Sequence, residues 1–286
     1  MIKRKLTLPP DNDSRVAAIV TGLFVAVVIL LFIFSKVHEG HRLSAQHLNK
    51  APKIPVSAVK ASLRPKIAFI LDDWGYSTID CKYLAEIPEP LAVSILPGLR
   101  HTQDAAACAR RAGKLTMLHL PMEAMQNYDF YYPKNYIIKT TMSPGLVTAI
   151  VNNDLAQLPS VEGVNNHMGS KATADGPLMR IILRILRKRE LFFVDSMTSR
   201  HSVAGRMADE MGLRFARRDV FLDNVNTRPA IDKQLVVLAH IARRRGYAVA
   251  IGHDRRLTMQ VLKDEIPWLE KQGFAIVSIK DLLKGR

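Results

Sequence analysis

The sequence predicts an α/β protein, a distorted (β/α) barrel of about seven to eight strands preceded by one transmembrane helix. Three observations predict it. A charge-free run stands near the N-terminus, a polar stretch punctuated by proline follows, and from Lys66 short β-rich runs alternate with helical patterns. Strands that alternate with helices pair in parallel and are covered by their own crossovers.

Residues 1–15 carry Lys3, Arg4, Lys5 and Arg15 and are expected to stay cytoplasmic, since cationic flanks remain inside. Residues 16–35, VAAIVTGLFVAVVILLFIFS, hold twenty residues without a charge. That length crosses ~30 Å of hydrocarbon as a helix. A cleaved signal peptide has a shorter apolar core of roughly 7–15 residues with a small-x-small site behind it. Here Lys36-Val37-His38-Glu39 follows directly, so an uncleaved single-pass anchor in the inner membrane is expected. A buried core helix would show a polar face, and Thr21 alone interrupts the interior of this run. Residues 36–65, with Pro52, Pro55 and Pro65, read as a linker. Residues 66–286 form the barrel, placed on the periplasmic, extracytoplasmic side.

The net charge of +15 is not one nucleic-acid footprint. Clusters such as Arg187-Lys188-Arg189 and Arg243-Arg244-Arg245 fall at apparent helix ends, where they meet the negative end of the helix dipole. They form a solvated face or one attracted to anionic lipid or wall polymer. Basic residues do not interleave with aromatics as base stacking requires, so no nucleic-acid partner is expected. The two cysteines, Cys81 and Cys108, make neither a disulfide framework nor a metal-type Cys-x-x-Cys pair. They are either free small hydrophobes or one bridge.

Within the barrel, strands are expected at 67–71, 91–97, 115–120, 161–166, 191–195, 219–223, 247–252 and 274–279. Helices are expected between them, with Ser143-Pro144 opening 143–157, Pro177 opening 177–188, Ser202 opening 202–211 and Pro229 opening 229–245. A doubly wound open sheet is the rival, but no Gly-x-Gly-x-x-Gly follows the first strand. The segment 124–142, with Tyr128, Tyr131, Tyr132 and Tyr136, reads as a long loop over one end of the barrel.

The chemistry stands at the strand ends. The first strand runs out at Asp72-Asp73, the third at His119, the fourth at His167, the fifth at Asp195, the sixth at Asp223 and the seventh at His253. In a (β/α) barrel these ends meet on the face that carries active sites. Aspartate and histidine are costly to bury unpaired, so their recurrence at one structural position points to a site. An aspartate with two histidines suits a divalent metal, zinc above all, with a position left for water. Adjacent aspartates point to opposite sides of a strand, so Asp72 and Asp73 need not share a job: one can ligate while the other orients or deprotonates the water. Asp195 and His253 are expected to pair and supply the acid, the aspartate setting the tautomer.

The stretches 71-LDDWG-75, 118-LHLPME-123, 163-GVNNHMGS-170, 193-FVDSMTS-199, 219-DVFLDN-224 and 251-IGH-253 resemble the divergent polysaccharide deacetylase family, related to carbohydrate esterase family 4. The resemblance covers the chain from 66-KIAFILDDWG-75 to its end. It implies metal-dependent removal of N-acetyl groups from an acylated sugar polymer, with Asp72 as base, Asp73 and His119 as ligands and His253 as the closing histidine. The second histidine of the parent esterases' His-x-x-x-His is replaced by Glu123, and His167 is expected to complete the metal site instead. Arg200 is the stand-in for the parent family's arginine motif. Glu123, Asn166, Arg200 and Asp223 are the candidate substrate-binding residues. The reading is therefore a metal-dependent hydrolase of a cell-envelope glycan, anchored by its N-terminal helix. Its alternatives are a non-catalytic glycan- or partner-binding envelope protein and a metal-dependent wall peptide amidase.

Overall fold

The computed structural model describes residues 64–126 and 136–285. The run 16–35 expected to span the membrane lies outside the described residues, as do Tyr128, Tyr131 and Tyr132. Among the described residues no helix is long and apolar enough to cross a membrane. Leu63–Arg286 form a compact unit with its own core.

The first strand, β1 (Lys66–Trp74), is the axis of that unit. β2 (Leu91–Ile95), β3 (Leu115–Met122), β4 (Gly163–Met168), β5 (Phe192–Asp195) and β6 (Phe215–Arg217) follow on one side of it, each parallel to its neighbour. β8 (Tyr247–His253) and then β7 (Val220–Phe221) lie on the other side. β9 (Ala275–Ile276) pairs with the start of β1. The sheet curls but does not close, because β6 and β7 end the strand order and do not pair with each other.

Parallel strands covered on both faces read as continuous apolar runs. Ile67 to Leu71 are each at most 1% exposed and divide by alternation. Ile67, Phe69 and Leu71 pack outward against the helices, and Ala68 and Ile70 join Met117, Phe192, Val249 and Ile251 inside the curl. Ile279 and Leu282, in a C-terminal 3-10 turn, close the bottom of that inner cluster.

Seven helices connect the strands among the described residues: α1 (Cys81–Ala85), α2 (Thr102–Arg111), α3 (Pro144–Gln157), α4 (Gly176–Lys188), α5 (Ala204–Met211), α6 (Arg228–Arg245) and α7 (Arg256–Lys271). The expected start signals act at α3 and α4, where Ser143 accepts from Leu146 N and Asp175 from Leu178 N, with proline in the first turn. α5 begins two residues later than expected. Ser202 donates instead to the Asp195 carboxylate at 2.6 Å. The three-residue β6 was not expected, since Phe215-Ala216-Arg217 is too short to show an alternation.

Cys81 and Cys108 are joined in a disulfide that ties α1 to α2 across 27 residues of chain. Closing a loop of that size restricts the unfolded chain by about 3–4 kcal/mol. The paired Cys81→Ser/Cys108→Ser variant is expected to lose that much in a denaturant titration.

Asp154, on α3, is fully buried, and neither of its oxygens has a hydrogen-bond partner among the described residues. Burial pushes its carboxyl up to about 7. A raised carboxyl costs stability once pH exceeds the unfolded value, and the cost grows until the folded value is passed. Asp154→Asn is therefore expected to stabilise more at pH 8 than at pH 5, by about 2 kcal/mol in unfolding free energy.

Candidate active site

The carboxyl ends of β1, β3, β4 and β8 bring the expected side chains together. β1 bends as it arrives. Its register with β2 shifts between Leu71 and Trp74, and Asp73 takes a left-handed φ of 66°. Alternation along a regular strand would send Asp72 and Asp73 to opposite faces. The bend returns Asp73 to the same site, and this corrects the expectation. His119 Nε2 lies 3.2 Å from Asp73 Oδ1 and 3.6 Å from Asp72 Oδ2. Met168, the last residue of β4, and Met197, in the loop after β5, are left-handed as well, with φ of 52° and 50°. Such backbone costs about 1–3 kcal/mol per residue and gathers where a site over-determines the chain.

Three atoms form a triangle. Asp73 Oδ1 is 3.2 Å from His119 Nε2 and 3.0 Å from His167 Nδ1, and the two ring nitrogens are 3.2 Å apart. Four ligands at ~2.0–2.1 Å in a tetrahedron stand roughly 3.3 Å from one another. The triangle therefore has the size of one face of that tetrahedron. Asp73 Oδ1 is buried and, despite these distances, has no hydrogen bond of acceptable geometry among the described residues. The two ring nitrogens meet at hydrogen-bond distance, so without a cation one of them must carry the proton, and the Asp73 oxygen is the corner left unpaired. The residues present fit a divalent cation, and among the described residues Asp73, His119 and His167 are the set able to hold one.

The charges agree. Burial opposes ionisation of Asp73, but the His119 and His167 imidazoles hold its carboxyl well below the usual range. Burial would lower His119, yet Asp72 and Asp73 push it up. Burial raises Asp72, which is 3% exposed, against the pull of His119. A carboxylate raised toward neutrality is a better base than an ordinary one.

Asn165 organises the cluster. It lies on β4 opposite His119, two residues before His167 and so on the same face. Its Nδ2 donates to Asp72 Oδ1 at 2.8 Å, and its Oδ1 faces His119 Nδ1 at 2.8 Å and accepts from the Ser94 hydroxyl. An amide oxygen only accepts, so His119 carries its proton on Nδ1 and presents the Nε2 lone pair to the site.

A second pair stands beside it. His253 Nδ1 lies 2.7 Å from Asp223 Oδ1, and Asp223 Oδ2 accepts from His253 N and Thr258 Oγ1 at 2.9 and 2.6 Å. His253 Nε2 is turned to the site, 3.9 Å from Asp73 Oδ2. Burial would lower the imidazole, but Asp223 raises it. Gly252 makes the approach possible, because a Cβ there would stand 2.8 Å from Thr258 Cγ2.

The carboxylate on His253 is thus Asp223 and not Asp195. Asp195 accepts from Ser202 Oγ and Met197 N at 2.6 and 2.8 Å and shapes the loop after β5. Asn166 is also turned to the scaffold. Its amide donates to Met168 O and accepts from Ser196 N, and it is fully buried away from any substrate. Glu123 is spent on Thr140 N, Thr140 Oγ1 and Lys171 Nζ at 2.7–2.8 Å, and so pins the segment after β3 rather than facing a metal. Arg200 is exposed and donates to His201. It lines a cavity of about 450 Å³ along the open seam, with Arg217, Tyr247 and Lys284.

Arg218 stands nearer the site than Arg200 and was missed. Its guanidinium donates to Ser196 O and Met197 O at 2.6 and 2.8 Å, lies 4.7 Å from the Phe221 ring centre, and feels Asp195 and Asp72. Phe221 in turn packs edge-on against His253 at 4.9 Å. The sequence around Arg217-Arg218-Asp219 gives no strand-end signal. The signal that could have found Asn165 is its spacing from His167.

The chain is 34% identical over 198 residues to an uncharacterized protein of Haemophilus influenzae, covering 69% of this chain and 70% of that one. It is 31% identical over 204 residues to the uncharacterized protein YibQ of Escherichia coli, covering 71% of this chain and 63%, less than two thirds, of that one. Its fold is similar to that of uncharacterized protein ATU2773 of Agrobacterium tumefaciens, with a TM-score of 0.73 at 20% identity over 79% of this chain and 92% of that one. It is also similar to the catalytic domain of a peptidoglycan N-acetylglucosamine deacetylase of Eubacterium rectale, with a TM-score of 0.50 at 11% identity over 75% and 88%. At those identities the likeness is one of fold. Residues 69–283 match the divergent polysaccharide deacetylase family over the span that brings Asp72, Asp73, His119, His167, Asp223 and His253 together, and the chain belongs to that family.

Proposed function

We propose that the protein is a metal-dependent hydrolase that removes N-acetyl groups from a cell-envelope glycan. The observation that carries the reading is the ligand-sized triangle of Asp73, His119 and His167 with a buried carboxylate, Asp72, beside it. A divalent ion held there, zinc by the donor set, supplies a polarised carbonyl and a water of lowered pKa. Asp72 takes the proton of the attacking water. His253, its Nδ1–H fixed by Asp223, hands a proton from Nε2 to the leaving amine nitrogen. Arg218 and the loop it braces wall the site on the β5 side.

Membership of the family, the fold and the donor set support the reading. The Cys81–Cys108 disulfide supports an extracytoplasmic setting, since such bonds persist in oxidising compartments. The charge-free run at 16–35 supports an inner-membrane anchor.

The test is acetate release from N-acetylglucosamine tetramers and from a generic acetyl ester by zinc-loaded full-length protein, beside Asp72→Asn. Release that falls by about 100-fold or more in the variant is expected, the scale on which a base contributes. Metal bound with no release from any acetylated probe would favour a non-catalytic binding protein. Cleavage of wall stem peptides with sugar acetyl groups left intact would favour an amidase. A pH profile gives a second check. Asp223 holds the His253 imidazole above its ordinary value, so Asp223→Asn is expected to move the alkaline limb of kcat/KM to lower pH.

A further inference from the structure

The two ends of the barrel differ in charge. The turns and C-terminal segment at the N-terminal ends of the strands comprise residues 64–66, 86–90, 110–115, 158–163, 187–191, 212–215, 243–247, 270–275 and 280–285. With Asp219, which stands just before β7 and pairs with Arg245, they hold fifteen basic and seven acidic side chains. The loops at the opposite end, which carry the site, comprise residues 72–80, 96–101, 123–126, 136–143, 167–176, 195–203, 222–228 and 253–256. They hold seven basic and eight acidic side chains. The excess of positive charge in the barrel is therefore gathered on one face.

Helix dipoles explain part of this. Cations at the last turns of α2, α4, α6 and α7 offset the partial negative charge there. They do not explain Arg64, Lys66, Arg214 and Lys284, which stand outside any α-helix. Nor are the cations neutralised. Arg111, Arg187, Lys188 and Arg244 are exposed and form no ion pair among the described residues. Arg245 with Asp219 and Lys280 with Glu162 are the exceptions. A surplus of positive charge of this kind attracts a dense anionic surface.

We propose that this basic face docks on the anionic phospholipid headgroups of a membrane. The chain itself favours lipid over a soluble polymer. β1 starts on this face, so the polypeptide enters the barrel here, behind the polar stretch 36–65 and the apolar run 16–35. The choice of lipid rests on reading that run as an anchor. A docked barrel turns its site away from the bilayer, roughly 20–25 Å up β1 from Lys66 to Asp73. The arrangement presents the site to a polymer lying beyond the membrane instead of to the lipid.

The test uses the compact unit Leu63–Arg286, which contains its own core and lacks the apolar run. It is sedimented with vesicles of phosphatidylcholine alone and with about one third phosphatidylglycerol, since juxtamembrane cations act within a Debye length of anionic lipid. Binding to the anionic vesicles is expected to exceed that to the neutral ones at least tenfold and to vanish in high salt. The variant Arg111→Gln/Arg187→Gln/Lys188→Gln/Arg244→Gln, all exposed positions, is expected to lose at least tenfold in partitioning. Arg100→Gln, exposed on the other face, is expected to stay within twofold. Equal binding to both vesicles, no loss in the quadruple variant, or capture of dextran sulfate with the vesicles ignored would each overturn the proposal. Alkaline extraction of the full chain from membranes reports separately on the anchor, so failure of that reading is told apart from failure of the face.

Discussion

His167→Ala is expected to lose the bound metal and to fold as the parent does. His167 contributes one corner of the triangle, 3.0 Å from Asp73 Oδ1 and 3.2 Å from His119 Nε2. Removing a residue that merely supports a ligand costs ~10–100-fold in metal affinity, and removing a ligand costs more. The side chain is 17% exposed at the rim, so little packing goes with it, and a stability change within about 1 kcal/mol is expected. Competition with a chromophoric chelator measures the first quantity and denaturant unfolding the second. Metal retained at parental affinity would remove His167 from the ligand set. Affinity in the parent is also expected to rise with pH. Asp72 and Asp73 push the His119 imidazole above its ordinary value, so a proton must leave before a metal is bound, and acid favours the proton.

Asn165→Leu is expected to damage both stability and the site. The side chain is fully buried, and its amide meets Asp72, His119, Ser94 and Ser196. Leucine fills the volume but leaves a carboxylate, a ring N–H and a hydroxyl without their partner, at about 1–3 kcal/mol each. A loss of about 4 kcal/mol in unfolding free energy is expected. The metal affinity should fall by ~10–100-fold as His119 loses the acceptor that fixes its tautomer. Ser94→Ala removes one donor only and keeps the amide in place, so it separates the two effects. Its metal affinity should fall by much less than that of Asn165→Leu. If Asn165→Leu kept full affinity in the folded fraction, the tautomer argument would fail.

Much of this was legible in the chain. The apolar runs mark β1 to β5 and β8 because a parallel sheet covered on both faces needs them, and the strand ends mark Asp72, Asp73, His119, His167 and His253. What was not legible depended on backbone detail or on contacts distant in sequence. The shared side of Asp72 and Asp73 comes from one left-handed residue. The choice of Asp223 over Asp195 for His253 comes from β7 lying next to β8, whereas β5 sits on the far arm of the sheet. The resemblance set Glu123 at a ligand position of the parent esterases, yet Thr140 and Lys171 claim it. Nothing in 118-LHLPME-123 announces those partners. Arg218 is hidden for the same reason, since its carbonyl acceptors lie 21 and 22 residues away.

The proposed chemistry requires Asp73, His119 and His167 to share a divalent cation. An anomalous-scattering map at the zinc edge, from crystals of zinc-supplemented protein, tests it directly. One strong peak is expected about 2.0–2.2 Å from Asp73 Oδ1, His119 Nε2 and His167 Nδ1, the distances zinc keeps to such atoms. A peak bound elsewhere, or an empty triangle with zinc in excess, would contradict it.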